Sequence, residues 1–457
     1  MSTQLFPFKP YFSKLMLVTL PAFLFIIGCQ KETQKNFTDQ LQSVTVPSTP
    51  KAEHTSSQVP IDWYKLQLRI LLERNSSLNG AYFGYLGIGL YESVRYGIKN
   101  SVSFSTQLYQ MPEMPARENN NGYNWEVSAN AAMASLLRSF NTGLTAANNT
   151  SIDSLENAYN EKLKSEEDLT SFERSQAFGR SIATAVRNWS LTDNFNPSNT
   201  GYIVPPPGNG AWEPTPPAFA PIPVNPFLKN ARLFLQSNLS SIAPAPIAYS
   251  ENSNSDFYKM AKNVYDVSKT LATDIEKQNI ALFWVDQGNG VGFTPPGHDF
   301  SIITQALENT GASLAVAAEV YAKAGIAERD ATIICFTSKY KYNLLRPVTY
   351  IRRFIDPTWS SFIPTPPHPE YPAAHAFITG SVMQAATEVL GDNVAITDHT
   401  YDFRGWTPRS YGSLSKAAEE AGISRLYGGI HYLPSINTGL SLAHDLGSRV
   451  GNIKLQE

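Results

Sequence analysis

The sequence is poor in cysteine, in charge and in long apolar runs. Two cysteines among 457 residues exclude a disulfide-stapled scaffold and a cysteine-rich metal domain. Charged residues make up 16%, below the usual quarter, which argues against a coiled-coil or disordered protein. Lysine and arginine number 36 against 39 acidic residues, so the net charge of −3 leaves no basic excess for a nucleic-acid partner. What is there is a large apolar content, 42% of residues, enough for a sizeable core.

The N-terminus has the pattern of an export signal. Lys9 and Lys14 precede the uncharged apolar run Leu15 to Gly28, which as a helix would span about 20 Å, too short for a bilayer. This pattern predicts a signal peptide over residues 1–28. The ending before Cys29 resembles the lipobox of bacterial lipoproteins, and an ordinary signal or a short membrane anchor is the alternative. We therefore expect an exported protein at the periplasmic side or cell surface, held to the membrane by lipid on Cys29.

The body after the signal carries helical rather than strand signals. No stretch shows sustained period-two alternation between hairpin turns. The residues Thr170 to Glu173 (TSFE) form a capping-box pattern and predict a helix that runs to Trp189. The alanine-rich stretch Ser301 to Ala324 predicts another helix, ended by Gly325. The predicted fold class is therefore mainly α, a helical bundle with long proline-rich surface loops.

Composition divides the chain further. The segment Val204 to Phe227 is too rich in proline for regular structure, and it is either a polyproline linker or a strap packed on the surface. Its aromatic residues favour the strap. We predict a lipidated cysteine and flexible tether over 29–59, followed by one integrated domain over 60–457. Within that domain, a first helical part covers 60–200, the strap covers 201–230, and a second helical part with the functional site covers 231–457.

The first segment with chemical potential is KYKYNLLRP. Lys339 and Arg346 are seven residues apart, which brings them to within about 20° on one helix face, and Pro347 predicts the helix end. Two cations would then project together, although a solvated helix face is the alternative.

The second segment, PTPPHPEYPAAHAF, leads from a proline-rich loop into an alanine-rich helix. A helix start presents free backbone N–H groups and a positive dipole end, which together favour an anion. His375 falls in the predicted first turn, where it could transfer a proton to a bound anion. A histidine that only packs or caps is the alternative.

The third segment is SRLYGGIHYLPS. Arg425 and His431 are six residues apart, and Gly428 and Gly429 between them permit a break in the helix. Arginine presents a planar fork that suits a tetrahedral oxyanion. His431 could instead be an interior histidine beside tyrosines. Together the three segments predict a site for a phosphate-shaped anion.

These motifs resemble the signature of the vanadium-dependent haloperoxidase and type 2 phosphatidic acid phosphatase superfamily. That signature reads Lys-x6-Arg-Pro, then Pro-Ser-Gly-His, then Ser-Arg-x5-His-x3-Asp. The matching residues are Lys339, Arg346, Pro347, Pro372, His375, Ser424, Arg425 and His431. The sequence departs from it at Ala373 and Ala374, which replace serine and glycine, and at Ser435, which replaces aspartate. The block FTPPGH, Phe293 to His298, resembles the soluble bacterial branch.

The resemblance implies roles for these residues. Vanadate would be the cofactor, with Lys339, Arg346 and Arg425 on its equatorial oxygens. His431 would be the axial vanadium ligand and His375 the acid–base residue. Ala373 and Ala374 would offer the anion only backbone groups at the positions of the family's serine and glycine. Without the aspartate, His431 would be oriented by Ser435 or by a backbone carbonyl.

The resemblance also implies substrates. Hydrogen peroxide and a halide would be the partners, and His368 in the halide pocket would favour bromide or iodide over chloride. A loop histidine with no role in halide binding is the alternative. One alternative is an acid phosphatase, in which His431 attacks a phosphate ester and His375 is the general acid. Another, suggested by Ala373, Ala374 and Ser435, is a degenerate protein that binds an oxyanion without turnover.

Overall fold

Helices carry almost all regular structure in the computed structural model, which describes residues 51–74, 80–119, 121–166, 168–286 and 292–457. The expected signal peptide and most of the expected tether lie outside these ranges. The helices are α1 Gln58–Arg74, α2 Gly80–Val94, α3 Trp125–Phe140, α4 Ala146–Lys164, α5 Leu169–Ser190, α6 Asp256–Leu271, α7 Ile275–Phe283, α8 Pro295–Thr310, α9 Leu314–Tyr342, α10 Pro347–Phe354, α11 Ala374–Leu390, α12 Leu414–Tyr427 and α13 Leu433–Gly451. Strands β1 Ile396–Asp398 and β2 Arg409–Tyr411 pair antiparallel. The prediction of a mainly α fold is confirmed.

Helix α9 lies at the centre of the bundle. It is buried along most of its length and packs against α2 on one side and α11 on another. A helix that is buried on every side needs neighbours on every side, and α9 has them. Helix α11 also packs against α12 and α13, so the three segments singled out above meet around α9 and α11. Within the described ranges, no helix is both long and apolar enough to cross a lipid bilayer.

The prediction that Gly325 ends a helix is wrong. Helix α9 continues through it, and the chain breaks earlier, at Gly311, whose φ of +59° separates α8 from α9. Gly325 is needed for packing, because a Cβ there would lie 2.6 Å from the carbonyl oxygen of Phe83 in α2. The glycine therefore permits a close approach of two helices rather than a turn.

The prediction that one helix carries both Lys339 and Arg346 is also wrong. Helix α9 ends at Tyr342, because Asn343 adopts a left-handed conformation with φ of +46°. Arg346 is the residue before α10, and Pro347 opens that helix instead of ending the previous one. A sharp corner, not a shared helix face, places the two cations.

Part of the proline-rich segment is fastened to this corner. Trp212 is 2% exposed, and its backbone N–H donates to the carbonyl of Asn343 at 2.7 Å. The N–H of Leu345 donates back to the carbonyl of Gly210 at 2.9 Å. Phe219, in contrast, is 56% exposed. The contacts of Trp212 hold the backbone immediately before Arg346.

The helix predicted from the capping-box pattern is confirmed as α5, but its cap was assigned wrongly. Asp168 is the residue before α5, and its carboxylate accepts the N–H of Ser171 at 2.9 Å. Aspartate at this position satisfies a free amide and also favours the positive end of the helix dipole.

Candidate oxyanion site

The three segments converge on one buried cluster. The corner between α9 and α10 supplies Lys339 and Arg346, the break between α12 and α13 supplies Arg425 and His431, and the start of α11 supplies His375. The first four of these side chains are at most 2% exposed. Gly429, with φ of +74°, turns the chain between Arg425 and His431. The structure thus brings together the basic residues that the sequence singled out.

Lys339 ties the loop that leads into α11 to α9. Its Nζ donates to the carbonyl oxygens of Pro369 at 3.0 Å, Glu370 at 2.8 Å and Pro372 at 2.6 Å. Three acceptors use the full donor capacity of an ammonium group. Burial lowers the pKa of Lys339, because the charged form loses its hydration.

Arg346 connects this loop to the α12–α13 break. Its Nε donates to the carbonyl of His368 at 2.9 Å, and its Nη1 donates to the carbonyl of Ile430 at 2.9 Å. The same Nη1 lies 3.1 Å from Nε2 of His431. Burial lowers the pKa of Arg346 to about 10, so it stays a cation at neutral pH.

Glu370 orients His431 and was missed by sequence reasoning. Nδ1 of His431 donates to Oε1 of Glu370 at 2.7 Å, and that oxygen also accepts the N–H of Tyr432 at 3.0 Å. A proton on Nδ1 leaves the lone pair on Nε2, which faces Arg346. The sequence suggested Ser435 or a backbone carbonyl for this role, and that suggestion is wrong. Glu370 lies within the quoted PTPPHPEYPAAHAF segment, but nothing in the segment points its side chain at His431.

The charge states follow from burial. Burial lowers the pKa of His431 well below its ordinary value, and the cations Arg346 and Lys339 lower it further. The imidazole is therefore neutral at neutral pH. Burial raises the pKa of Glu370, while the same two cations act against that rise. The cluster consequently combines groups that are cations at neutral pH with a neutral histidine that could serve as a ligand.

His375 occupies the first turn of α11, as predicted. Its Nε2 lies 3.2 Å from Oδ2 of Asp286. Burial first, and then the charge of Arg425, lower the pKa of His375 to about 4, so the ring is neutral at neutral pH. Arg425 itself donates from Nε to Oγ of Ser424 at 2.9 Å and from Nη2 to the carbonyl of Trp284.

A second layer of buried groups lies behind His375, and sequence reasoning missed it. Asp286 follows α7, with φ of +43°, and accepts from Nδ1 of His298 at 2.8 Å and from the hydroxyl of Tyr401 at 2.7 Å. Nε2 of His298 lies 2.8 Å from Oδ2 of Asp398 in β1. Only His298 carried a sequence signal, as the last residue of FTPPGH.

The remaining predicted residues lie at the same site. His368 is buried, its Nδ1 is 3.0 Å from Nη2 of Arg346, and its ring meets the ring of Phe336 edge-on at 5.3 Å. Ala373 is the residue before α11 and is fully buried in an apolar cluster that also contains Ala376. Ala374 is the first residue of α11.

The chain is similar to known proteins in sequence and in fold. The family described as the second helical-bundle domain of VCPO matches residues 319–456. A crystal structure titled as the first bacterial vanadium-dependent iodoperoxidase is 30% identical, with a TM-score of 0.80, and the match covers 88% of this chain and 98% of that one.

Two further solved structures share the fold. They are the apo and holo forms of a bacterial vanadium-dependent chloroperoxidase, 16% and 15% identical, with TM-scores of 0.59 and 0.58. The matches cover 82% of this chain and 93% of the apo chain, and 90% and 95% for the holo form. No curated protein sequence matches this chain significantly.

Proposed function

This chain belongs to the vanadium-dependent haloperoxidase family, and from that premise we propose that it oxidises iodide or bromide, rather than chloride, with hydrogen peroxide. The cofactor would be vanadate held by Lys339, Arg346, Arg425 and His431. The choice of iodide is supported by the similarity to a protein described as an iodoperoxidase, a similarity that covers 98% of that protein's chain. The position of His368, against Arg346 and Phe336, supports a role in the halide pocket.

The observation that carries the proposal is the orientation of His431. The Glu370 carboxylate accepts a hydrogen bond from Nδ1–H, so the lone pair on Nε2 faces the cations. A histidine that only packed in the interior would also need an acceptor for its N–H, but it would not need its other nitrogen turned toward a cluster of cations. Ligating histidines characteristically donate their other ring N–H to a carboxylate or carbonyl, which fixes the tautomer and raises the basicity of the ligand nitrogen.

The donor set also fits vanadate in charge, and Lys339 would exchange one of its three carbonyl acceptors for an oxygen of the anion. Lys339, Arg346 and Arg425 bring three positive charges into a site from which water is largely excluded. Glu370, and Asp286 beside Arg425, offset part of this charge, and a resident oxyanion would balance more of it and so lower the free energy of the site. Arg346 donates to the neutral imidazole at Nε2 of His431, and an anion can replace that contact. Bound there, vanadate would supply Lewis acidity without changing oxidation state.

His375 would handle the proton of the peroxide. Its pKa of about 4 makes it neutral at neutral pH, so it can accept a proton from hydrogen peroxide and return it to the departing oxygen. Oδ2 of Asp286 lies 3.2 Å from Nε2 and favours the tautomer that carries its proton there. The overall reaction consumes peroxide, halide and a proton, and yields hypohalous acid and water.

A single set of assays tests the proposal. The purified protein would be loaded with vanadate and assayed with peroxide and iodide, bromide or chloride, and separately with a chromogenic phosphate ester. His431→Ala should lose tight vanadate binding because the ligand is gone. His375→Ala should keep most of the binding and lose turnover. His444→Ala, an exposed histidine paired with Asp445, is the matched control.

The outcomes are distinct. Peroxide-dependent halogenation that is lost in both site variants and kept in the control supports the proposal. Phosphate release without halogenation would replace it with the phosphatase. Vanadate binding with neither activity would leave an oxyanion-binding protein. Equal vanadate retention by both site variants would remove His431 from the ligand role.

A further inference from the structure

His298 bridges two buried carboxylates on the side of Asp286 that faces away from His375. Its Nδ1 lies 2.8 Å from Oδ1 of Asp286 and its Nε2 lies 2.8 Å from Oδ2 of Asp398. All three side chains are at most 1% exposed. A neutral imidazole can donate from only one nitrogen, so two carboxylate partners require a ring protonated at both.

The ring is also held by its neighbours. It stacks on Trp284 with centroids 4.4 Å apart and meets the edge of Tyr401 at 5.0 Å. Asp398 is fixed in turn, because its Oδ1 accepts the N–H of Thr400 at 2.9 Å. We call His298 with Asp286 and Asp398 the clamp. It joins the start of α8 to the loop after α7 and to β1.

The clamp leaves one oxygen of Asp286 for His375. Oδ1 is used by His298 and by the hydroxyl of Tyr401, and Oδ2 lies 3.2 Å from Nε2 of His375. Asp286 has a positive φ of 43°, which a non-glycine residue adopts only when its contacts require it. Two residues earlier, the carbonyl of Trp284 accepts from Arg425. The same short segment thus positions both a cation of the site and its acid–base histidine.

We propose, resting on the proposed function, that His298 is a positioning residue: a permanently protonated imidazole that orients Asp286 toward His375 and balances its charge. Without His298, two carboxylates would share a buried space with no cation between them. Asp286 would then take up a proton or turn away, because like charges cannot both stay ionised there. His375 would lose the partner that fixes its tautomer.

The charged groups that surround His298 and His375 are consistent with this role. Facing His298 are Asp286, Asp398 and, on its own helix, Asp299, and the first two raise its pKa to about 10. Facing His375 are Asp286, Arg425 and His298. The His298 cation also helps hold the pKa of Asp286 well below its ordinary value. The Asp286 carboxylate is therefore ionised throughout the range in which His375 would work.

The first test needs no variant and no activity. In the full chain labelled with ¹⁵N-histidine, both ring nitrogens of His298 should give protonated chemical shifts from pH 6 to 9, and His375 should be neutral with its proton on Nε2. His298→Gln and His399→Gln assign the signals and form a matched pair, because His399 follows Asp398 but is exposed and paired with Asp402. A non-protonated nitrogen on His298 at pH 7 would overturn the proposal.

The second test separates positioning from simple stability. In folded, vanadate-loaded His298→Gln, kcat should fall on the order of 10- to 100-fold, while the vanadate Kd changes less than about threefold and the pH profile of kcat shifts. Asp398→Asn is a milder second variant and should change kcat in the same direction. His399→Gln should leave all three readouts unchanged. Unchanged kcat and pH profile in folded His298→Gln, or a parallel loss of vanadate affinity, would contradict the role.

The two proposals fail separately. If the wild-type protein shows no halide turnover, the proposed function fails, but the protonation of His298 and the tautomer of His375 still decide the positioning role. If turnover is normal and His298 is neutral, the proposed function stands and the positioning role is lost.

Discussion

Glu370 is the residue on which the ligand geometry of His431 depends. Glu370→Gln should weaken vanadate binding about 10- to 100-fold, because an amide is a poorer acceptor for the Nδ1 proton and can present its NH₂ instead. The measurement is equilibrium titration with vanadate. Ser435→Ala is the comparison and should weaken vanadate binding much less, since its hydroxyl contacts Glu370 and the Nδ1 proton of His431 is already accepted by Glu370. Equal weakening in both variants would return the orienting role to Ser435.

The alanine before α11 allows a gain-of-binding prediction. Ala373→Ser should tighten vanadate binding by about tenfold, because a hydrogen bond to a charged group contributes roughly 1.5–3 kcal/mol. We expect the lower end, since the Ala373 methyl group lies in an apolar cluster. Ala376→Ser, three residues further in the same cluster, should give no gain. Titration of both variants with vanadate decides the matter, and unchanged binding by Ala373→Ser would mean that residue 373 does not face the anion.

At the scale of elements, the contact between α2 and α9 makes a stability prediction. Gly325→Ala should destabilise the protein by about 1–3 kcal/mol, because its Cβ would lie 2.6 Å from the Phe83 carbonyl and the helices would have to separate. Gly412→Ala is the control, since a Cβ there meets nothing within 4 Å. Denaturant unfolding of both variants measures the difference. A wild-type midpoint for Gly325→Ala would show that the two helices can move apart freely.

The helices were predictable where local signals act alone. The pattern Thr170 to Glu173 and the amphipathic run behind it were enough to find α5, although the cap is Asp168, and the proline-rich loop was enough to find the start of α11. Gly325 and Pro347 misled because their roles are set by other elements. Gly325 is required by its close contact with α2. Pro347 follows a corner that is formed by Asn343 and held by Trp212. A local sequence pattern does not show which other helix or loop will pack against that residue in the folded chain.

The same limit applies to the site at the scale of the whole molecule. Residue types and spacing were enough to find Lys339, Arg346, Arg425, His375 and His431. The groups that orient them were not accessible, because Glu370 is 61 residues from His431 and Asp398 is 100 residues from His298. Such pairs form only when the bundle closes. The sequence therefore predicted the groups that would contact the anion, but not those that hold them in place.

Anchoring is a prediction about the whole molecule that rests on the sequence alone. We expect wild-type protein to carry lipid on Cys29 and to fractionate with membranes, and Cys29→Ser to remain an unacylated precursor. Mass spectrometry of the membrane fraction provides the measurement. Cys335→Ser is the matched control, because that cysteine is buried in the body. Absence of lipid on Cys29 in wild-type protein would contradict the anchor.

The protonated clamp should also give the whole molecule a characteristic pH dependence of stability. The pKa of His298 is raised from 6.5 to about 10 in the folded chain, so its stabilisation is complete below pH 6.5 and is lost as the pH rises towards 10. The pKa values of Asp286 and Asp398 are lowered from 3.8, so their contribution is present above that pH and is lost as the pH falls.

The difference in free energy of unfolding between wild type and His298→Gln should therefore be largest between about pH 4 and 6.5 and should shrink steadily towards pH 10. Urea unfolding of both proteins across this range measures it, with His399→Gln as the control that should follow the wild type at every pH. The comparison with a variant matters because other buried groups, such as Glu328, whose pKa is raised to about 7, change stability in both proteins alike. A gap that stays constant from pH 6 to 10 would mean that His298 stabilises the fold by packing on Trp284 rather than by its charge.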